Sequence, residues 1–423
     1  LASSAASDVY KRQDEKSPKT VSIKNLTIKS DSTLDTIQGL RFYGVFNGGT
    51  STAVGANVTI EGCTFEGWTY GVTVNTYAQN YSLTIDNCTF NSWCAVSARM
   101  GDDNNNTVNF TGNNTISEGG YAMQAFNNDY SLNGYYSSTE SYEQDLQDGL
   151  NQPDVDATKV AQGYYVTNAD ELTAAVNKAD NGATIILAAG NFTLNNTLTI
   201  SKRINLIGSG VGETTIDGPV QYKFSENQAG NDFTVSGITF KANTNNSTVQ
   251  GLQFCGNQPN EDYDVKISVT DCAFDGWTYG ITMNSHANGC NMTVTGCTFT
   301  DCLYAVSYNY DTTTAGQEAD NSLQFGEGNI IPEGCFAVQK FNNINTGEGM
   351  VDKTYATIEA FENDESTISG HVIYVTSDLG TAISNAADGS TLIVAPGEYG
   401  GDNITFDGKS LTIKAQYPAY KDG

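Results

Sequence analysis

Apolar and polar residues alternate along this chain in short bursts separated by glycine, asparagine or aspartate. Val58 to Phe65 (VTIEGCTF), Leu83 to Phe90 (LTIDNCTF) and Val108 to Ile116 (VNFTGNNTI) start 25 residues apart, as do Ile267 to Phe274 (ISVTDCAF) and Met292 to Phe299 (MTVTGCTF). Looser copies are VSIKNLTI at Val21, LTISKRINLI at Leu198, FTVSGITF at Phe233 and LQFGEGNII at Leu323. Each burst reads as a short strand, a corner residue that tolerates left-handed backbone, and a second short strand. One such unit every 20 to 25 residues predicts a coil of parallel strands, with rungs stacked about 4.8 Å apart.

Stacked rungs should carry ladders of one chemical type. One ladder reads Leu26, Cys63, Cys88 and, later, Ile238, Cys272, Cys297. Another is an aromatic or Cys, then a small residue, then an aliphatic: Tyr43-Gly44-Val45, Tyr70-Gly71-Val72, Cys94-Ala95-Val96 and Tyr121-Ala122-Met123. It returns as Tyr279-Gly280-Ile281, Tyr304-Ala305-Val306 and Phe336-Ala337-Val338. Both ladders are expected to face inward and fill the core.

A longer period lies over the short one. The run from Val58 through Glu66-Gly-Trp-Thr-Tyr-Gly-Val-Thr-Val-Asn75 returns from Ile267 through Asp275-Gly-Trp-Thr-Tyr-Gly-Ile-Thr-Met-Asn284, an offset of 209 residues between Cys63 and Cys272. Thr36 to Phe42 echoes Thr248 to Phe254, and Tyr121 to Asn128 echoes Phe336 to Asn343. The expected organisation is a tandem array, with a truncated module at 14–128, a complete one at 163–343 and the start of a third at 371–423. Residues 129–162 and 344–370 are acidic, irregular stretches expected to close the last rung and act as spacers. Residues 1–13 fit no repeat and read as a non-native leader, and the chain reads as a piece of a longer protein. Asn168, with Glu171 three residues on, predicts a helix N-terminus before the apolar stripe Leu172, Ala175, Val176, Ala179. This short helix is expected to cap the open strand edges of the first rung. Ser377, Leu379, Ile383 and Gly389 repeat it.

The sequence DELTAAVNKADNGATIILAAGNFTL followed by LTISKRINLIGSG, then rungs of the type VTIEGCTFEGWTYGVTV, resembles the right-handed parallel β-helix of the pectin-lyase-like superfamily. Within it, the tandem array is most similar to bacterial surface, adhesin-like repeat proteins. The resemblance implies an all-β, single-stranded parallel solenoid. It is specific for fold and weak for function, since the superfamily includes polysaccharide lyases, glycoside hydrolases, phage tailspikes and adhesins.

Twenty Lys and Arg stand against 48 Asp and Glu, a net charge of −28. Such a surface repels nucleic acid and anionic membranes, and no apolar run approaches the roughly 18 residues of a membrane span. The catalytic patterns implied by the resemblance are poorly matched. Gly101-Asp102-Asp103 imitates the aspartate pair of the polygalacturonase-like pattern, but neither Gly-His-Gly nor Arg-x-Lys occurs, and a solvated turn is the simpler reading. A lyase needs Lys or Arg among carboxylates. Arg41, Arg99 and Arg203 do not recur as Arg in the next copy, and Lys241, like the other lysines of the complete module, has no evident acidic partner.

Were the chain an enzyme, Glu66 and Asp275, with Asp102 and Asp103, would be the catalytic candidates. The polar residues that recur, Asn75 with Asn284 and Gln124 with Gln339, are expected either to form corner amide ladders or to line a ligand face together with Tyr70 and Tyr279. Trp68 and Trp277 are expected to stack structurally, on Trp93 and Cys302 one rung later. Cys63 over Cys88 and Cys272 over Cys297 meet the Cα spacing of a disulfide, but Leu and Ile share their column, which favours buried free thiols. No C-x-x-C pair marks zinc. Acidic loops such as Glu261-Asp-Tyr-Asp264 lack the D-x-D-x-D-G spacing, so no cofactor is expected and calcium is the one candidate ion. These features favour a non-catalytic, secreted or cell-surface bacterial repeat protein, a monomeric array binding polysaccharide or host glycans. The alternative is a lyase or hydrolase of acidic polysaccharides, and a third reading is a mechanical spacer.

Overall fold

Many of the described rungs turn on a residue with left-handed backbone. In the first half of the chain Asn25, Gly62, Asn87 and Gly112 have φ between 50° and 64°, and in the second Gly237, Asp271 and Gly296 have φ between 49° and 66°. Their amides form a ladder: Asn25 donates to the Glu61 carbonyl, Gly62 to Asp86, and Asp271 to Thr295, each at 2.9 Å. The alternation of Gly with Asn or Asp has a steric cause. A Cβ at Gly296 would lie 2.1 Å from Asp271 Oδ1, so the carboxylate of one corner occupies the space left free by the next. Gly296→Ala is therefore expected to lower unfolding free energy by about 2 kcal/mol, from left-handed strain added to the clash, with thermal melting as the readout.

The computed structural model describes residues 19–30, 38–47, 50–52, 55–75, 77–101, 104–127, 132–150, 152–224, 232–243, 250–256, 263–284, 287–309, 321–342 and 350–364, with shorter stretches from 368 to 415. The chain divides into two units, Leu1–Gly190 with Ile204–Ser209, and Asn191–Arg203 with Gly210–Gly423. Both are built mostly of strands, and the strands of successive rungs pair in parallel, which makes the chain an all-β parallel solenoid. No helix among the described residues is long and apolar enough to cross a membrane.

In the first unit Lys19–Lys24, Ala56–Glu61, Ser82–Asp86 and Thr107–Thr111 form one parallel sheet, with Val58 paired to Leu83 and Ile60 to Ile85. A second, longer sheet contains Thr64–Val74, Thr89–Arg99 and Tyr121–Phe126. The core between them is aliphatic and aromatic, and Phe65 and Phe90 stack at 4.9 Å. In the second unit the first sheet is Phe233–Ser236, Val265–Thr270, Cys290–Thr295 and Ser322–Phe325. The long one runs through Val220–Phe224, Gln250–Gly256, Tyr279–Met283, Tyr304–Asn309 and Phe336–Asn342. Phe240, Phe274 and Phe299 stack there at 5.1 Å, nearly parallel.

Asparagines that are half-buried or, at Asn106, buried hold the rungs at matching positions. Asn114 Oδ1 accepts from Cys88 N while its Nδ2 donates to Ile85 and Thr111 carbonyls, and Asn329 does the same for Cys297, Val294 and Gly326. Asn106 and Asn321 form a second such pair. The cysteines also act as donors. Cys88 Sγ approaches the Ile60 carbonyl at 3.4 Å and Cys297 Sγ that of Val269 at 3.5 Å. All nine cysteines are buried free thiols, and burial pushes Cys255 up to about 11 and Cys302 up to about 12, away from reactive thiolates.

Several ladders differ from the sequence reading. The triplet in register with Tyr70-Gly71-Val72 is Gln38-Gly39-Leu40, not Tyr43-Gly44-Val45. Within the triplet the aliphatic joins the core while Tyr70, Cys94 and Tyr121 belong to a separate outer cluster. Leu26 lies in the cysteine column but, on the outermost rung, is 51% exposed. Trp68 pairs with Ser92 rather than Trp93 because the later rung is one residue shorter there.

The described residues after the last rung of each unit form regular elements. Asn133–Tyr136 pairs antiparallel with Tyr121–Phe126, and helix α1 (Thr139–Asp148), N-capped by Ser138, follows. The second unit repeats this with Met350–Tyr355 and helix α3 (Ile358–Glu362), N-capped by Thr357. Between them, helix α2 (Ala169–Lys178) has Asn168 as N-cap and buries Leu172, Ala175 and Val176. Helix α4 (Leu379–Asn385) is capped by Asp378; Ser377 lies outside the described residues.

Candidate functional site

The long sheet of the first unit carries two columns on its outer side: Tyr70, Cys94, Tyr121 and, three residues on, Thr73, Ser97, Gln124. The first is largely taken up by packing, with Cys94 fully buried and Tyr70 and Tyr121 half-buried. Trp93 meets Tyr70 edge-on at 5.7 Å and Tyr121 at 5.8 Å, while Tyr135, Tyr165 and Ile186 close over the cluster. Gly163 fits only because it lacks a side chain: a Cβ there would lie 2.3 Å from the Trp93 ring. Burial, reinforced by Tyr135 and Cys94, pushes the Tyr70 hydroxyl far above its ordinary value. Tyr70 thus packs, half-buried, within this aromatic cluster. Trp68 and Trp277 are likewise turned inward, donating to the carbonyls of Ile28 at 2.8 Å and Phe240 at 2.9 Å. Tyr279 is half-buried and stacks parallel on Tyr304 at 5.4 Å.

The recurring amides form cross-rung bonds. Gln124 Oε1 accepts from Ser97 Oγ at 2.8 Å and Gln339 Oε1 from Ser307 Oγ at 2.6 Å. In the second unit the column extends through Gln221, Gln253, Thr282, Ser307 and Gln339, with Gln221 donating to Gln253 at 2.6 Å. Gln124 is half-buried and Gln339 only 5% exposed. Asn75 and Asn284 end equivalent strands: their amides donate to Phe42 and Phe254 carbonyls, and their own carbonyls accept from Ala78 and Ala287. Both are half-buried.

The acidic candidates stand beside lysines. Glu66 Oε1 is 2.5 Å from Lys29 Nζ, and the register runs Lys29, Glu66, Asn91. In the second unit it runs Asp217, Lys241, Asp275, Thr300. Lys241 therefore has two acidic neighbours in its column, which the sequence reading missed. The Cα atoms of Asp217 and Asp275 are about 9.6 Å apart, two rungs. Carboxyl groups that cleave glycosides stand roughly 5 to 9.5 Å apart, but here a cation lies between them. Asp102 and Asp103 lie outside the described residues, as do Glu261 and Asp262 of the calcium candidate loop. Among the described residues no three His, Cys, Asp or Glu side chains gather as metal ligands.

No family model matches the sequence, and no curated protein matches it. Among solved structures it is similar to the catalytic domain of a GH87 alpha-1,3-glucanase (11% identity over 69% of this chain and 54% of that chain, TM-score 0.21). It is also similar to a PL6 family alginate lyase, AlyGC (11% identity, 94% and 67%, TM-score 0.26). This chain thus spans about half the length of the glucanase domain. The solenoid architecture rests on the strand pairing above, since likeness at these scores carries no argument.

Proposed function

We propose that this chain is a polysaccharide-binding, non-catalytic repeat protein whose stacked rungs present the same polar positions more than once. The observation that carries this reading is the duplication of outward polar columns on the first sheet of each unit: Thr59, Thr84 and Asn109 in one, Ser268, Thr293 and Gln324 in the other. Repetition multiplies weak contacts into avidity, which suits an adhesin or scaffold at a cell surface or in the extracellular space. The proposal includes tandem right-handed modules at 14–128, 163–343 and 371–423, with α2 and α4 as their N-terminal caps. A net charge of −28 disfavours nucleic acid as partner.

A second reading, an enzyme on acidic polysaccharides, is favoured by one arrangement. Lys241 between Asp217 and Asp275 places a cation and two carboxylates on neighbouring rungs, the groups needed to neutralise a uronate and move its proton. Incubating the full chain with neutral and acidic polysaccharides, and reading product size by chromatography, separates the two. Intact polymer co-eluting with the protein is the expected result. Shortened polymer, abolished by Lys241→Met, would replace the binding reading with the enzymatic one.

A further inference from the structure

We propose that the solvent face of the first sheet in each unit, not the long sheet, holds the ligand, and that the ligand is a neutral, extended polysaccharide lying along the stacking direction. This rests on the polysaccharide reading above and assigns it a face and a substrate class.

On this sheet the apolar residues are sequestered. Val58, Ile60, Leu83 and Ile85 are at most 1% exposed, as are Ile267, Val269, Met292 and Val294 in the second unit. The residues between them must point outward. They form a column Ser22, Thr59, Thr84, Asn109 in the first unit, and Thr234, Ser268, Thr293, Gln324 in the second. All eight are half-buried or exposed. A second column lies beside each, where Thr107 Oγ1 donates to Ser82 Oγ at 3.1 Å and Ser322 Oγ to Asn291 Oδ1 at 2.7 Å.

The result is a lattice of hydroxyls and amides spaced about 4.8 Å between rungs and about 6.6 Å along each strand. Each group both donates and accepts, and short side chains on fixed strands lose little freedom when they bind. The rise per sugar of an extended glycan is close to the spacing between rungs, so successive rungs can meet successive sugars.

Charge narrows the ligand. The central column of each unit carries no acid or base, in a chain with 48 acidic residues, and among the paired residues of the column beside it the one charged residue of the second unit is Lys266, in register with Asn291 and Ser322. At the edge of this face in the first unit, Lys24 and Glu61 neutralise each other at 2.5 Å, while Asp86, next in that column, accepts from the Thr111 hydroxyl and keeps the edge acidic. A polyanion would be repelled by the surrounding field, whereas an uncharged, hydroxyl-rich polymer is not. The long sheet lacks this accessibility, since Thr282, Ser307 and Gln339 are nearly fully buried and Tyr70 is half-buried in its aromatic cluster.

The test uses the full chain and its depletion from solution by insoluble cellulose, by mannan and by a polygalacturonate gel. The variant T59K/T84K/S268K/T293K lays long charged side chains over both columns while leaving the inward residues unchanged. The expected result is binding of wild type to a neutral polymer, weakened about tenfold or more in the variant, with the two-site halves intermediate, as avidity requires. Should the lysine variant melt early, the alanine set at the same four positions serves in its place and is expected to weaken binding in the same direction. Neutral-polymer binding that neither set changes would overturn this face and leave the polysaccharide reading standing. Binding to polygalacturonate alone would overturn the neutral-glycan assignment and also leave that reading standing. Wild type that neither binds nor cleaves any of the three would overturn both.

Discussion

Trp277→Ala is expected to remove about 3 to 5 kcal/mol of unfolding free energy, a large part of the roughly 5 to 15 kcal/mol that holds a typical domain. Trp277 is 2% exposed, and its indole nitrogen donates to the Phe240 carbonyl at 2.9 Å across a rung. Truncation opens a cavity the size of the indole in a stack where Phe240, Phe274 and Phe299 are fixed 5.1 Å apart. The wall cannot collapse without breaking that spacing. It also orphans a buried carbonyl. One rung later Cys302 Sγ fills the same slot, 3.6 Å from the Phe274 carbonyl, so Cys302→Ala removes far less volume and is expected to cost much less. Denaturant unfolding of the two variants beside wild type checks both. Equal losses would mean that the slot tolerates any occupant and that the indole hydrogen bond does not matter.

Trp277 also marks where sequence reading succeeds and where it fails. Its partnership with Cys302 was legible because the rungs containing them have equal length. Trp93 looked like the partner of Trp68 for the same reason, but the rung from Thr89 is one residue shorter, and register moves Ser92 under Trp68. That single deletion turns Trp93 outward into the cluster with Tyr121 and Tyr135. The corner column was legible wherever left-handed backbone restricts the residue locally to Gly, Asn or Asp.

Burial of Tyr70 was not legible. The residues that pack on it, Tyr135, Tyr165 and Ile186, come from segments far along the chain, and no periodicity relates them to the rung of Tyr70. Gln38 was hidden because an amide stands where the other rungs have an aromatic, although the echo of Thr36–Phe42 in Thr248–Phe254 contained the correct alignment. Lys241 escaped because Asp217, Lys241 and Asp275 are separated by unequal intervals. Extra residues outside the strands lengthen one turn without disturbing the stack.

Asp145→Ala is expected to loosen the end of the first unit by about 1 to 3 kcal/mol, the cost of leaving the buried Tyr136 hydroxyl without an acceptor. Its carboxylate accepts the Tyr136 hydroxyl at 2.5 Å and the Gln152 amide at 3.0 Å, at 9% exposure. These bonds tie helix α1 to the antiparallel strand Asn133–Tyr136, which covers the edge of Tyr121–Phe126. Tyr142 completes the closure by donating to the Val108 carbonyl at 3.0 Å and meeting Phe110 edge-on. Without this element the last parallel strand would expose a row of unpaired backbone groups.

The second unit provides an internal control. Tyr355 donates to Asp364 at 2.6 Å and Phe361 takes the place of Tyr142, but the Asp364 side chain is 65% exposed and also bonds Lys353. Water can replace its bonds, so Asp364→Ala should cost clearly less than Asp145→Ala. Burial, with help from Asp145, pushes the Tyr136 hydroxyl well above its ordinary value of 10.0. A raised value means that the neutral hydroxyl is the folded form. Its contribution is present in full below pH 10 and is lost as pH rises beyond it. Amide exchange at residues 133–136 reads this directly. Protection should fall in Asp145→Ala at neutral pH, and in wild type only in strong alkali. Unchanged protection in Asp145→Ala would show that the strand is held by its backbone ladder alone and that the helix is an ornament on a rung already closed.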